Sequence, residues 1–460
     1  MDTIQAGQAG AGLAADRRNV PAYPDMQSNS ARLYDRAVKV LPGGNSRHTV
    51  FFPPYPVYAV RGAGSRVWDA DGVERTDFIN NYSSLIHGHN HPAIVGAVVR
   101  QAKTLLSVSL PTEAEIRLAE LVTERLPCVE QVRFCNSGSE GVLFAIKAAR
   151  AYTGRSKIAM IEGAYHGSSE TAVVSTGPGP DAWGDAANPN AVNGPGNGDS
   201  VTRDVVVLPL NDVENARRII RAHAADLAGV VIDAMPSAIG FLPVAADFLT
   251  MIREELDACG GLLVFDEVYS LRLGFNGAQG ALGVRVDITA LGKIIGGGLP
   301  IGAVGGPAHI MSALFDPREA GGARLAHGGT FNANPMTMAA GAAAMELFDR
   351  AAFDRVSALG DRLRAGFTEA LKISGKPGRV TGTASLCRLG HSDAPLASYR
   401  DLYQIRQDGK TPARTENFFR HMLNRGVLIG APGLFILSTA MTEADIDATI
   451  EKALEGLRLI

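Results

Sequence analysis

Cysteine is scarce and scattered. The 460 residues hold four, Cys128, Cys135, Cys259 and Cys387, with no Cys-x-x-Cys pair. That excludes a disulfide frame and a cysteine-built zinc site, and it fits the reduced thiols of a cytosolic protein. A surplus of charge is missing too. The formal net charge of −3 leaves no basic field for nucleic acid or an anionic membrane. Met1-Asp2-Thr3-Ile4-Gln5 has neither the basic start nor the apolar stretch of a signal peptide. One long run without formal charge, Ile294 to Phe315, is broken by Gly296, Gly297, Gly298, Gly302, Gly305 and Gly306 and by Pro300 and Pro307. It therefore reads as strand and turns rather than a membrane span. No internal repeat is visible. With 46% hydrophobic and 20% charged residues, the composition is that of an ordinary globular protein, long enough for two domains.

What is present is organised around Gly261 to Gly306. Leu262-Leu263-Val264-Phe265 is a short unbroken apolar run, the pattern of a strand buried on both faces. It ends in Asp266-Glu267, so a carboxylate stands where a central strand meets its loop, the edge at which ligands of open α/β sheets bind. Lys293 follows the apolar segment Ile288-Thr289-Ala290-Leu291 and precedes Gly296-Gly297-Gly298. A lysine stripped of water there can shed its proton and become a nucleophilic amine. Singly, Asp266 could be a helix cap and Lys293 a surface charge. Together, an acid able to hold a proton on a pyridine nitrogen and a lysine able to form a Schiff base are the two groups that pyridoxal phosphate requires of a protein.

A second feature is Val132-Arg133-Phe134-Cys135, followed by Asn136-Ser137-Gly138-Ser139-Glu140 and a helical pattern to about Tyr152. Strand, Ser-Gly-Ser turn and helix make a phosphate cradle: the first helical N–H groups lack internal partners, the dipole favours an anion, and Gly138 permits close approach. Lys157–Ile161, Asp204–Leu208, Gly229–Ile232 and Leu262–Val268 alternate with helical patterns such as Val213–Ala224, which predicts an α/β fold with a parallel sheet. Earlier, Arg66–Asp69 and Glu74–Ile79 read as a hairpin turning at Asp71-Gly72. His89 and His91 stand close together, but no third ligand residue is near and no metal is expected. Asn45-Ser46-Arg47-His48 follows a short helix over Ala31–Val40; it is either a plain polar loop or the place where Arg47 offers a planar guanidinium to a substrate carboxylate. Residues 1–30 read as a disordered tail. Residues 176–203, rich in Gly, Pro, Asn and Asp, should form no packed element and read as a mobile active-site flap. From about Ala351 the pattern changes to that of a smaller α+β unit. The expected division is an N-terminal segment over 31–75 that packs with the small domain, a large cofactor-binding domain over 76–348, and a small domain over 349–460.

The wording of Leu262–Val268 and of Asp287 through Lys293 to Ala303 resembles the class III PLP-dependent aminotransferases, in their glutamate-1-semialdehyde aminomutase-like branch. The resemblance covers about Ala31 to Ile460. It implies the aspartate-aminotransferase fold (fold type I), with a large mainly parallel-sheet domain and a smaller α+β C-terminal domain. It also implies that Lys293 bonds the cofactor and carries the substrate proton, while Asp266 keeps the ring nitrogen cationic. Ser137, Gly138, Ser139 and Thr330 would take the phosphate, Thr330 serving the neighbouring subunit of a homodimer. Tyr165 and Val268 would sandwich the ring, with His166 beside it either as a hydrogen-bonding partner or as plain structure. Arg47 matches the branch's Asn-Ser-Arg segment. Four departures stand out: Gly141 for an Ala, Asp233 where the family has Glu-Pro, Tyr269-Ser270-Leu271-Arg272 for Met-Thr-Gly-Phe-Arg, and Asn80–Leu85 for a Gly-Ser-Trp-like wording. The activity implied is cytoplasmic amino transfer between an amino acid or amine, a β-amino acid included, and a 2-oxo acid. The alternative is the intramolecular transfer of an aminomutase.

Overall fold

The computed structural model describes residues 22–319, 324–431 and 433–460. Its centre is a seven-stranded sheet: β1 Gln131–Cys135, β2 Lys157–Ile161, β3 Val205–Leu208, β4 Leu227–Ile232, β5 Leu262–Asp266, β6 Ile288–Gly292 and β7 Gly302–Gly306. Spatial order is β1-β7-β6-β5-β4-β2-β3. The pairs β5–β6, β5–β4, β2–β4 and β2–β3 are parallel, and β7 alone runs against its neighbours β6 and β1. Every residue of β3, β4, β5, β6 and β7 is buried, because helices cover both faces. The unbroken apolar runs of the sequence have this cause. Helix Gly138–Thr153 lies across β6 and β7, and helix Pro335–Leu347 packs on the turn after β6. That second packing is close: a Cβ on Gly341 would stand 2.2 Å from the Ile295 carbonyl oxygen.

A three-stranded antiparallel sheet, Arg379–Thr381, Leu386–Gly390 and Leu434–Ile436, forms the C-terminal part with helices Arg350–Ser374, Tyr399–Gln407, Thr411–Asn424 and Glu443–Leu459. The early hairpin belongs to a four-stranded sheet whose last member, Val427–Leu428, pairs in parallel with Glu74–Asp77. An early segment of the chain is thereby joined to a late one. Among the described residues, no helix is long and apolar enough to cross a membrane.

Three expectations need correction. Of the tail expected over 1–30, residues 1–21 lie outside the described residues, but the chain from 22 onward is packed. Tyr23 is buried, and its hydroxyl donates to the carbonyls of Pro53 and Tyr55. The first helix runs Asn29–Ala37 rather than Ala31–Val40, because the Ser28 hydroxyl caps it by accepting from the Ala31 N–H. The segment 176–203 also forms structure. Gly184–Asp185 and Asn188–Pro189 pair as a small hairpin. Trp183 sets its ring edge-on to Tyr399 and Tyr403, and Arg400 donates to the carbonyls of Trp183, Gly184 and Asp185 while it forks onto buried Glu162. One large aromatic in a Gly/Pro-rich stretch is enough to anchor it. Its described residues pack on helix Tyr399–Gln407, and none of them lines the cavity described next.

Candidate active site

Five strands end at one rim. The residues just beyond them are Asn136-Ser137 after β1, Tyr165-His166 after β2, Asp233 after β4, Asp266 closing β5, and Lys293 after β6. With Arg47, Asn81, Ser84, Gly138, Ser139, Gly167, Val268 and Tyr269 they line a cavity of about 540 Å³. This is where an open, mainly parallel sheet leaves its loops free to diverge.

Asp266 is 5% exposed. One carboxylate oxygen accepts from the Val268 N–H at 3.0 Å, and the other meets Nδ1 of buried His166 at 2.8 Å. Nε2 of that ring has no hydrogen-bond partner. Lys293 is among the few non-glycine residues with positive φ, at +50°, a conformation held at a cost and concentrated at functional sites. Its Nζ lies 4.0 Å from the centroid of the Tyr269 ring. Burial brings the Lys293 amine down to about 8 against the opposing pull of Asp266 and Asp233, with Arg272 adding a smaller downward push. Burial, and then the negative charge of Asp266, raise the Asp233 carboxyl above its ordinary range. Glu267, fully buried behind Asp266, accepts from the N–H groups of Ala278 and Gln279 and from the Gln279 side chain. It holds the turn after β5 and does not line the cavity.

At the other end of the cavity, the Ser137 hydroxyl caps helix Gly138–Thr153 by accepting from the Glu140 N–H at 3.2 Å. A Cβ on Gly138 would come within 2.5 Å of Val268 Cγ1, so only glycine leaves the first helical N–H groups approachable there. Pyridoxal phosphate, the group implied by the resemblance, needs an anion cradle, an acid and a desolvated amine around one space. The residues present fit it. Tyr165 lines the cavity and is 55% exposed.

Arg47 is exposed at the mouth, where Nη1 donates to Asn81 Oδ1 at 2.7 Å. Thr330 is exposed and does not line the cavity. Its loop is nevertheless tied to the rim, because Asn332 Oδ1 accepts from Asn136 Nδ2 at 2.8 Å. The structure thus gathers Lys293, Asp266, Ser137, Gly138, Ser139, Tyr165, His166, Val268 and Arg47 and leaves Thr330 apart. Sequence reasoning noted Tyr269, Asn81 and Ser84 only as departures from the family wording and gave them no role. Tyr269 carried a signal, since it lies on the one-turn helix Glu267–Ser270 directly after Asp266.

Residues 51–459 match the family model described as aminotransferase class-III. The β-phenylalanine transaminase of Variovorax paradoxus is 38% identical over 426 residues, covering 92% of each chain. The glutamate-1-semialdehyde 2,1-aminomutase of Methanopyrus kandleri is 36% identical over 439 residues, covering 95% of this chain and 98% of that one. Among solved structures, an omega-transaminase from Sphaerobacter thermophilus superimposes with a TM-score of 0.89 at 47% identity, over 95% of this chain and 98% of the other.

Proposed function

The chain belongs to the class-III aminotransferases, enzymes that use pyridoxal phosphate, and from that premise we propose that its amino donor is a carboxylated one, an α- or β-amino acid, with a 2-oxo acid as acceptor. The observation that carries the proposal is Arg47, a guanidinium on the cavity lining whose side-chain partner is a neutral amide. Such a cation keeps its charge available for a carboxylate. The Variovorax relative, named for a β-amino acid, supports the β alternative. The aminomutase relative supports intramolecular transfer, but Asn80-Asn81 here replace the Gly-Ser-Trp-like wording of that branch.

When bound, pyridoxal phosphate supplies an electron sink for the pair left at the amino carbon. Lys293 would hold it through Nζ, and Asp266, its carboxylate steadied by His166, would face the ring nitrogen. The N–H groups at Gly138 and Ser139, with the Ser137 hydroxyl, would take the phosphate, and Tyr165 and Val268 the two ring faces. Once the substrate's amine has taken its place, Lys293 Nζ, lowered to about 8 by burial, would be neutral often enough around neutral pH to take a proton from the amino carbon and return it. The same reading makes the protein a cytoplasmic homodimer with the site at the subunit interface, where Thr330 completes the phosphate contacts. Exposed Leu106, Leu110 and Phe331 support such an interface.

A donor panel tests the substrate class. Holoenzyme with a 2-oxo acid should consume α- or β-amino acids at least about tenfold faster, in kcat/KM, than the amines obtained by removing their carboxylate. Equal rates across the panel would remove the carboxylate requirement, and product formed without any 2-oxo acid would favour the aminomutase reading.

A further inference from the structure

Asn80, Asn81, Tyr82 and Ser83 have φ values of +47°, +48°, +51° and +77°. Four consecutive non-glycine residues in the left-handed region are costly, and such backbone persists only where its surroundings hold it. Here they do. Asp77 Oδ1 accepts from the N–H groups of Ile79 and Asn80 at 2.7 and 3.0 Å. Asn80 Nδ2 donates to the carbonyls of Asp77 and Ile436 at 3.0 and 2.7 Å. Arg272, wholly buried, donates to the Ser83 carbonyl, the Ser385 hydroxyl and the Leu437 carbonyl. The Tyr82 hydroxyl donates to the Thr49 carbonyl and so ties the turn to the loop that carries Arg47.

All this support delivers one side chain to the cavity mouth. Asn81 Oδ1 accepts from Arg47 Nη1 at 2.7 Å, and Asn81 Nδ2 donates to Ser84 Oγ at 2.9 Å, which sets the orientation of the amide. The Arg47 backbone is held separately, its N–H donating to Asn45 Oδ1 at 2.8 Å. Among the described residues, no carboxylate forms an ion pair with Arg47. We infer that Asn81 is a specificity-determining residue: the left-handed turn places a neutral acceptor against Arg47, aiming the guanidinium over the cavity while leaving its charge unspent for a substrate carboxylate. This rests on the reading of Arg47 as the carboxylate contact. An aspartate in the same place would aim the guanidinium equally well but neutralise it. A residue with no acceptor would leave the charge free but the guanidinium loose. Asparagine meets both needs, and it tolerates left-handed backbone better than most residues.

The test compares Asn81→Asp, Asn81→Gly and Arg47→Ala as holoenzymes, each with a carboxylated donor and with its decarboxylated amine. Asn81→Asp keeps the side-chain size and a residue type that accepts this φ, and Asn81→Gly serves should the aspartate disturb the turn. Asn81→Asp is expected to raise KM for the carboxylated donor about tenfold, with the change falling on KM rather than kcat and the KM of the amine not rising. Asn81→Gly should give a smaller rise, a few-fold, on the same donor. If Arg47→Ala raises that KM while both Asn81 variants leave it unchanged, the inference is overturned and the proposed carboxylate contact stands. If Arg47→Ala itself leaves the KM unchanged, both fall. A loss of kcat in the Asn81 variants, equal for acid and amine, would show Asn81 to be holding the fold of the mouth, which also overturns it.

Discussion

At the floor of the cavity, Asp266, His166 and Asp233 are buried and Lys293 is half-buried, and removal from water moves the Asp233 carboxyl up and the Lys293 amine down. At the mouth, Arg47 and Tyr165 are exposed, Arg47 has a neutral amide as its side-chain partner, and placement is done by hydrogen bonds between distant segments. The floor is made from residues at or shortly beyond the ends of strands of one sheet, so its geometry comes with the fold. The mouth depends on a strained turn and on loops tied to one another. Reaction type should therefore be hard to change at the floor, and substrate choice easy to change at the mouth.

The sharpest way to break that contrast is at Lys293. Lys293→Ala removes the amine that would hold the cofactor and carry the proton, and kcat/KM should fall by roughly 10⁴-fold or more for every donor, acid or amine. The protein should still fold, with unchanged circular dichroism. Asp266→Asn comes next. A neutral amide cannot sustain a proton on a pyridine nitrogen, and turnover should drop roughly 10²- to 10³-fold, again for all donors; a loss confined to carboxylated donors would put Asp266 with the mouth. Arg47→Ala should behave in the opposite manner. It should cost about 1.5–3 kcal/mol, or about 10- to 150-fold in kcat/KM, for carboxylated donors and spare simple amines. Lysine at that position should restore only part of the loss, since an ammonium cannot make the planar fork.

A smaller effect is expected at the phosphate end. Gly138→Ala brings a Cβ to 2.5 Å from Val268 Cγ1, and should weaken cofactor binding about tenfold in an absorbance titration. Val268→Ala alone, which also loses the proposed ring-face contact, sets the reference: the double variant should bind the cofactor no worse than Val268→Ala alone, and a further loss would mean that the alanine acts on the backbone instead. The smallest effect is a pH dependence of the apoprotein. Its Lys293 amine has been lowered to about 8 from an ordinary value of 10.5. Between those values the unfolded chain binds more protons at this site, so this lysine's contribution to stability is poorest below about pH 8 and improves as pH rises through the window. Capture of added pyridoxal phosphate should accordingly rise with pH to a plateau with a midpoint near 8. A midpoint near 10 would mean that Lys293 is not desolvated.

The contrast also explains what could be read from the sequence. Asp266 and Lys293 announce themselves because a strand wholly buried in a parallel sheet is apolar throughout, so its terminal acid, or the lysine after it, stands out. The Ser137-Gly138-Ser139 cradle is legible for the same local reason. Asn81 was not. Its role depends on a turn held by Asp77, Ile436 and Arg272, and on an arginine far away in sequence, none of which spacing reveals. The segment 176–203 is mostly loop, as its composition foretold, apart from its small hairpin and a short turn at its end; what composition could not show is that Trp183 and the Arg400–Glu162 pair fasten it. A single aromatic anchor carries no periodicity. Thr330 does not line this cavity: its loop is tied to Asn136 through Asn332, yet the residue itself is exposed.

The central claim is that Lys293 is the amine on which the cofactor is held. Borohydride treatment of the holoenzyme, followed by peptide mapping, tests it most directly. The absorbance of the bound cofactor in the visible region should disappear, and its mass should be found on the peptide carrying Lys293 and nowhere else, with no label retained in Lys293→Ala. A label on another lysine, or a protein with no reducible cofactor band, would contradict the account.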